Sequence, residues 1–165
     1  GRLTESYCEA VKYAQKVYAT NVPYNLDVGV FNAFPKDNGV VQSFSALNVW
    51  STHNENKQVV KPGGTIVICS SSPDGVGYHG LTVKGMRLHI RRDKHGSFKH
   101  ILSNRKIIFF SPTLIRKDIQ DFLPETTLLC RKWSLVVEEL KKTYPTKIEV
   151  GVFPSGPLQI DKHVF

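Results

Sequence analysis

The sequence predicts an α/β fold of three layers, a mostly parallel sheet of about four to five strands with helices on both faces. Three observations lead there. Short apolar, β-rich runs alternate along the chain with stretches that repeat apolar residues at helical spacing, as in units that place a helix over a parallel sheet. The runs Thr65–Cys69 and Lys106–Phe110 are apolar almost without interruption, as expected of strands buried on both faces. Finally, the runs end in residues that cannot continue them, such as Pro35 and the Pro154-Ser155-Gly156-Pro157 segment.

At 165 residues, 41% apolar and 22% charged, residues 1–165 fit a single α/β domain of ordinary soluble composition. No apolar run approaches the ~20 residues of a membrane span, so no membrane is expected as a partner. The first residues do not resemble a signal peptide, and the expected location is cytoplasmic. Gly1 stands where an initiator Met would be, which fits a piece of a longer protein. Cys8, Cys69 and Cys130 form no C-x-x-C pair and read as buried, reduced thiols.

Apolar residues at Leu3, Tyr7, Ala10, Val11, Ala14, Val17 and Tyr18 predict a first helix with one buried stripe, ended by Asn21 and Pro23. Leu26–Phe34 reads as the first strand. Asp37 or Asn38 then caps a second helix, whose face carries Val40, Val41, Phe44, Leu47 and Trp50. A Pro62-Gly63-Gly64 turn enters the second strand, Thr65–Cys69, and Ser70–Gly77 forms the loop that leaves it. The segment Val76–Arg105 reads as helix, weakened by Gly85 and Gly96. After the strand Lys106–Phe110, Ser111-Pro112 has the form of an N-cap and first helical residue for a helix through Ile115, Ile119, Phe122 and Leu123. Thr126–Leu129 suits a short strand, Trp133–Tyr144 a helix with Lys141 and Lys142 in its last turn, and Lys147–Phe153 the final strand.

With parallel strands, the loops Asn32–Asn38, Ser70–Gly77, Ser111-Pro112 and Pro154–Gly156 meet at the carboxyl edge of the sheet, where open α/β folds bind ligands. Small, polar, glycine- and proline-rich loops let backbone amides approach a carboxylate or phosphate, although Pro and Gly end strands in any such fold. The candidate cleft residues are Asn32, Pro35, Asp37, Gln42, Ser45, Asp74, Gly75, Gly77 and His79; no catalytic or metal-binding residue is assigned. Gly75-Val76-Gly77 lacks the third glycine of a dinucleotide fingerprint. The six histidines show neither H-E-x-x-H nor zinc spacing, and only His79 lies where it could reach the cleft as an acid, base or ligand group.

The formal net charge is +8, with much of the excess between Lys84 and Lys106. A solvated face, a docking surface for another domain and a nucleic-acid patch all remain open for this stretch. Its single interleaved aromatic, Phe98, argues against stacked bases, and nucleic acid is not the expected partner.

Phe34-Pro35-Lys36-Asp37 with Gln42, then Lys61-Pro62-Gly63-Gly64-Thr65-Ile66-Val67, then Asp74-Gly75-Val76-Gly77 resembles the carboxy-terminal domain of the lactate racemase family. Members are isomerases, racemases or epimerases, that interconvert 2-hydroxy acids by hydride removal and return on a nickel-pincer nucleotide. The resemblance implies half of an interdomain cleft for that nucleotide and a small 2-hydroxy acid. It also implies an amino-terminal domain that carries the catalytic histidines, the nickel ligand and the cofactor-bearing lysine. This chain would bind no cofactor alone and would not be competent alone. Of the Tyr-Gln pair and following lysine that the family's carboxy-terminal domain contributes, only Gln42 is kept; Val41 stands at the tyrosine position and Ser45 at the lysine position. A stand-alone basic module for an anionic ligand or nucleic acid, working through Lys84–Arg105, is the alternative.

Overall fold

In a computed structural model, residues 2–51, 58–77 and 98–164 are described. In chain order they form α1 (Leu3–Tyr18), β1 (Ala19–Thr20), β2 (Leu26–Asn32), α2 (Val40–Ser43), a 3-10 turn (Phe44–Leu47) and α3 (Asn48–Ser51). There follow β3 (Val60–Cys69), α4 (Lys99–Leu102), β4 (Lys106–Phe110), α5 (Arg116–Ile119), β5 (Leu128–Cys130), α6 (Trp133–Thr143), β6 (Val150–Phe153), β7 (Ile160–Asp161) and a closing 3-10 turn (Lys162–Val164).

Five strands form one sheet in the order β5-β4-β3-β2-β6 with every pairing parallel, so the α/β architecture read from the sequence holds. The order steps from β2 outward to β5 and then returns to the other side of β2. With right-handed crossovers, the connections of the outward run lie on one face and the returning helix α6 on the opposite face.

The two clusters of buried residues follow that division. One gathers Phe31, Ile66, Ile68, Ile107 and Phe109 of the strands with Val40, Leu47, Trp50, Leu114 and Ile119. The other gathers Val28, Val67, Ile108 and Cys130 with Val136 of α6. Alternate residues of one strand enter opposite clusters, as the strand period of two requires.

Phe31 and Phe153 stack at 4.7 Å and 4° over adjacent strands. The in-register Gly29 and Gly151 make room for them, since a Cβ at Gly29 would lie 2.5 Å from the Phe31 ring.

Several boundaries move. β3 starts at Val60 and carries the Pro-Gly-Gly segment within it, because the pairing with β2 jumps from Leu26↔Val60 to Val28↔Thr65 and the extra residues form a bulge. The second helix splits into α2, a 3-10 turn and α3, all with buried residues on the core side. The helix expected after Ser111 shrinks to one turn, and the helix expected over Val76–Arg105 falls largely outside the described residues, which retain only α4. The two-residue pair β1–β7, too short to leave a periodic signal, joins the stretch before β2 to the chain's last strand. There the Tyr24 hydroxyl donates to the buried Asp161 carboxylate; burial first, and then Asp161, pushes the Tyr24 phenol up to about 12.

α1 forms as read, but its apolar stripe does not bury: Leu3 is 88% and Tyr7 67% exposed, and no α1 residue is buried. Periodicity reports which residues share a face, not what covers that face. Among the described residues, no helix is long and apolar enough to cross a membrane.

Candidate functional site

The carboxyl edge begins where β2, β3, β4 and β6 end, at Asn32, Cys69, Phe110 and Phe153. The strand order reverses between β2 and β6, the topological position at which open α/β sheets place ligands.

Backbone hydrogen bonds join the first two loops. Ser72 N donates to Asp37 O at 2.7 Å, Asp74 N to Asn38 O at 3.0 Å, and Val40 N to Gly75 O at 2.9 Å. The motifs Pro35–Asp37 and Asp74–Gly77, far apart in sequence, thus meet in one wall. The loop after β4 is tied to the same wall: Ser111 Oγ donates to Ser71 O at 3.0 Å, and Thr113 Oγ1 donates to the carbonyls of Ser71 and Ser72. The turn after β6 closes on β2 through Gly156 N to Asn32 O at 3.1 Å.

Beneath this wall lies a cluster that the sequence reading missed. The side chains of Ser43, Ser70 and Ser72 are buried, with Oγ–Oγ separations of 2.6 Å (Ser43–Ser70), 2.7 Å (Ser70–Ser72) and 3.0 Å (Ser43–Ser72). Three hydroxyls in a triangle can each donate once and accept once, so buried polar atoms are paired without any charge. The visible signal was three serines in a row where an apolar strand ends.

The remaining candidates take varied positions. The Asp37 carboxylate accepts from Ser71 Oγ at 2.7 Å; it does not cap the second helix, whose N-cap is Gly39. Asn32 Oδ1 accepts from Phe34 N at 3.3 Å, and Pro35 is exposed beside it. Gln42 lies in α2, Ser45 and Phe44 in the 3-10 turn, and Val41 beside Gln42, each half-buried. Asp74 is exposed, and Gly75 and Gly77 have φ of 59° and 79°. Asp118 comes close to this turn, its Oδ1 lying 3.7 Å from where a Gly75 Cβ would be, while its Oδ2 accepts from Ile115 N at 2.9 Å. That bond starts α5; Ser111, expected as the cap, serves the loop contacts instead. His79 lies outside the described residues.

These bonds change what the edge can offer a ligand. The amides of Ser70, Ser72, Asp74, Gly75 and Gly77 all donate to carbonyls of the protein itself, so these five do not form the amide cradle expected for an anion. Side chains and shape remain: Asp37, Asp74, Ser71, Gln42 and the loop outlines. Cys69, at the end of β3, offers no nucleophile near neutral pH, because burial pushes its thiol up to about 11. Cys130 is buried and likewise shifted upward by burial; of the other two thiols expected to be buried, Cys69 is half-buried and Cys8 is exposed on α1. Among the described residues, no three His, Cys, Asp or Glu side chains gather closely enough to hold a metal. A recess of about 410 Å³ is bordered on α1 by Glu9, Lys12, Tyr13, Gln15 and Lys16.

The basic stretch is described only at its end. Arg105 Nε donates to Val60 O at 2.9 Å and Nη1 to Ile101 O at 2.8 Å, and its guanidinium lies 4.8 Å from the centre of the Trp50 ring. Burial lowers its pKa. Lys106 Nζ meets Glu139 Oε1 at 2.5 Å. Both cations serve the fold.

No family model matches this chain, and no curated protein does. Among solved structures, the chain is similar to the lactate racemase apoprotein from Thermoanaerobacterium thermosaccharolyticum, with a TM-score of 0.66 and 14% identity. The match covers 93% of this chain and 40% of that one, so this chain spans less than half the length of its structural neighbour. At that identity the likeness is one of fold.

Proposed function

We propose that this chain is the carboxy-terminal domain of a lactate-racemase-like isomerase of the cytoplasm, supplying one wall of an interdomain cleft for a nickel-pincer nucleotide and a small 2-hydroxy acid. The observation that carries the reading is the meeting of two of the three resembling motifs, Pro35–Asp37 and Asp74–Gly77, through Ser72–Asp37 and Asp74–Asn38 hydrogen bonds at the carboxyl edge. The similarity of the fold to a lactate racemase supports it. In this reading the wall contributes shape, Gln42 and the Asp37–Ser71 pair, while the cofactor, the nickel ligand and the hydride-transfer groups belong to an upstream domain. The chain would be inactive alone. Val41 and Ser45 in place of the family's tyrosine and lysine remove a cation that would face a substrate carboxylate, so the substrate is a 2-hydroxy acid other than lactate, or the protein has lost catalysis.

The gene decides. The reading expects an open frame extending upstream of Gly1 through a domain rich in histidine and lysine; a native start codon near Gly1 would overturn it. The alternative, a basic binding module working through Lys84–Arg105, falls mostly on residues outside those described; of its cations Arg105 is engaged within the fold.

A further inference from the structure

Ser72 combines three features that rarely meet in one residue. Its φ is 42°, in the left-handed region that is strained for an L residue with a Cβ. Its side chain is fully buried. Its hydroxyl and its amide both hold the loop: Oγ lies 2.7 Å from Ser70 Oγ and 3.0 Å from Ser43 Oγ, and N donates to Asp37 O at 2.7 Å. Glycine would occupy this backbone conformation without strain, but it would bring no hydroxyl. Directly after Ser72 comes the turn Pro73–Gly77, in which Gly75 N donates to Ser72 O at 3.1 Å and Gly77 N to Asp74 O at 2.8 Å. Two further backbone bonds hold this turn: Asp74 N to Asn38 O, between two exposed residues, and Val40 N to Gly75 O, between buried Val40 and half-buried Gly75.

We infer that Ser72 is a strained latch: its buried hydroxyl, bonded to Ser43 of α2 and to Ser70 just after β3, holds the Pro73–Gly77 turn down on the carboxyl edge, and the turn is the part of the wall that opens. The strain makes the closed arrangement dependent on the hydroxyl contacts. Removing them leaves Ser43 and Ser70 paired with each other at 2.6 Å and with the carbonyls of Gly39 and Asp37, so no buried donor is stranded and the damage stays local. The latch itself stands on this geometry; that its opening would admit or release a ligand rests on the cleft reading above.

Amide hydrogen exchange of the unliganded chain tests it. In Ser72→Ala, which keeps the strain and loses the hydroxyl, the amides of Asp74, Gly75 and Gly77 should exchange on the order of tenfold faster than in the wild type, while the sheet amides of Val67 and Ile108 keep their rates. Ser72→Gly, which loses the hydroxyl but relieves the strain, should loosen the turn less than Ser72→Ala does, though still beyond the wild type, and melt closer to the wild type; it carries the test if the alanine variant does not fold. Turn amides that keep wild-type rates, or that speed up only in step with the sheet, overturn the latch. No ligand enters this experiment, so its failure would leave the cleft reading standing, and a native start codon near Gly1, which would overturn the cleft reading, would leave the latch standing.

Discussion

The two ends of the parallel sheet are held by different chemistry. At the carboxyl end, the contacts are mostly hydroxyls and backbone: the Ser43–Ser70–Ser72 triangle, the Ser72–Asp37 and Val40–Gly75 bonds, and Ser111 and Thr113 on the carbonyls of Ser71 and Ser72, while the charged side chains Asp37 and Arg131 meet neutral partners, Ser71 Oγ and Pro112 O. At the amino end, charges take over. Lys61 Nζ meets Asp27 Oδ1 at 2.6 Å, and Glu149 N donates to the other oxygen of that carboxylate at 2.8 Å. Lys106 meets Glu139, and the Tyr144 hydroxyl lies 2.9 Å from Thr65 Oγ1 while donating to Asp27 O at 3.1 Å. On the cleft reading proposed above, an edge that receives a polar ligand gains by keeping fixed ion pairs away from it, because a local ion pair competes for the charges a ligand brings, and the opposite edge carries no such requirement; among the described residues the ion pairs made by the sheet's strands lie at the amino end.

The largest effect should come where the carboxyl end is packed most tightly. A Cβ at Gly156 would lie 2.0 Å from the Ala46 carbonyl oxygen, and both partners are backbone that cannot turn aside. Gly156→Ala should therefore cost about 3 kcal/mol or more in denaturant unfolding, or abolish folding. A variant of wild-type stability would mean that this turn does not close on the 3-10 segment, and the carboxyl edge would then be more open than its neutral packing implies.

How much of this could be read beforehand depends on the range of each signal. β4 was legible to the residue because Lys106–Phe110 is a continuous apolar run with its boundaries marked at both sides. α6 was legible from Val136, Leu140 and Tyr144, which do pack on the sheet. The meeting of the first two loops at one edge followed from parallel strands alone. The strand order did not, because the position of β6 beside β2 is decided by tertiary packing. Nor did the serine triangle: Ser43 is 27 residues from Ser70, and nothing local distinguishes a buried hydroxyl from a solvated one. α1 shows the opposite failure, a clear stripe whose covering surface is not written in the stripe itself.

A middle-sized effect belongs to the amino end. Tyr144 comes from the end of α6 and bridges β2 and β3 with one hydroxyl, through Asp27 O and Thr65 Oγ1. Tyr144→Phe keeps the ring against the sheet and removes both contacts, so it should cost about 1 kcal/mol by denaturant midpoint without a change in slope. A changed slope would mean that more than these two bonds had been lost.

The smallest effect separates the two ends most cleanly, because hydroxyls do not titrate and carboxylates do. The hydrogen bond from Lys61, helped by the Glu149 amide, holds the Asp27 carboxyl below the usual carboxylate range, and Lys106 does the same for Glu139. A carboxylate whose folded pKa is depressed stabilises the fold above its unfolded pKa, about 4, and that contribution disappears as pH falls through the folded value. The pH window therefore opens near pH 5 and runs downward, and the unfolded chain binds the extra protons. Melting temperatures between pH 3 and pH 7 should fall more steeply for the wild type than for Asp27→Asn combined with Glu139→Gln. Because these pairs are solvent-accessible, with side-chain exposures of 48% and 19% for Lys61 and Asp27, salt should shrink the difference. Ser72→Gly should keep the wild-type acid slope, since the triangle carries no proton that titrates in this range. If Ser72→Gly flattened the acid limb as the double variant does, the carboxyl end would be coupled to the charges at the far end of the sheet, and the two edges would have to be treated as one electrostatic unit.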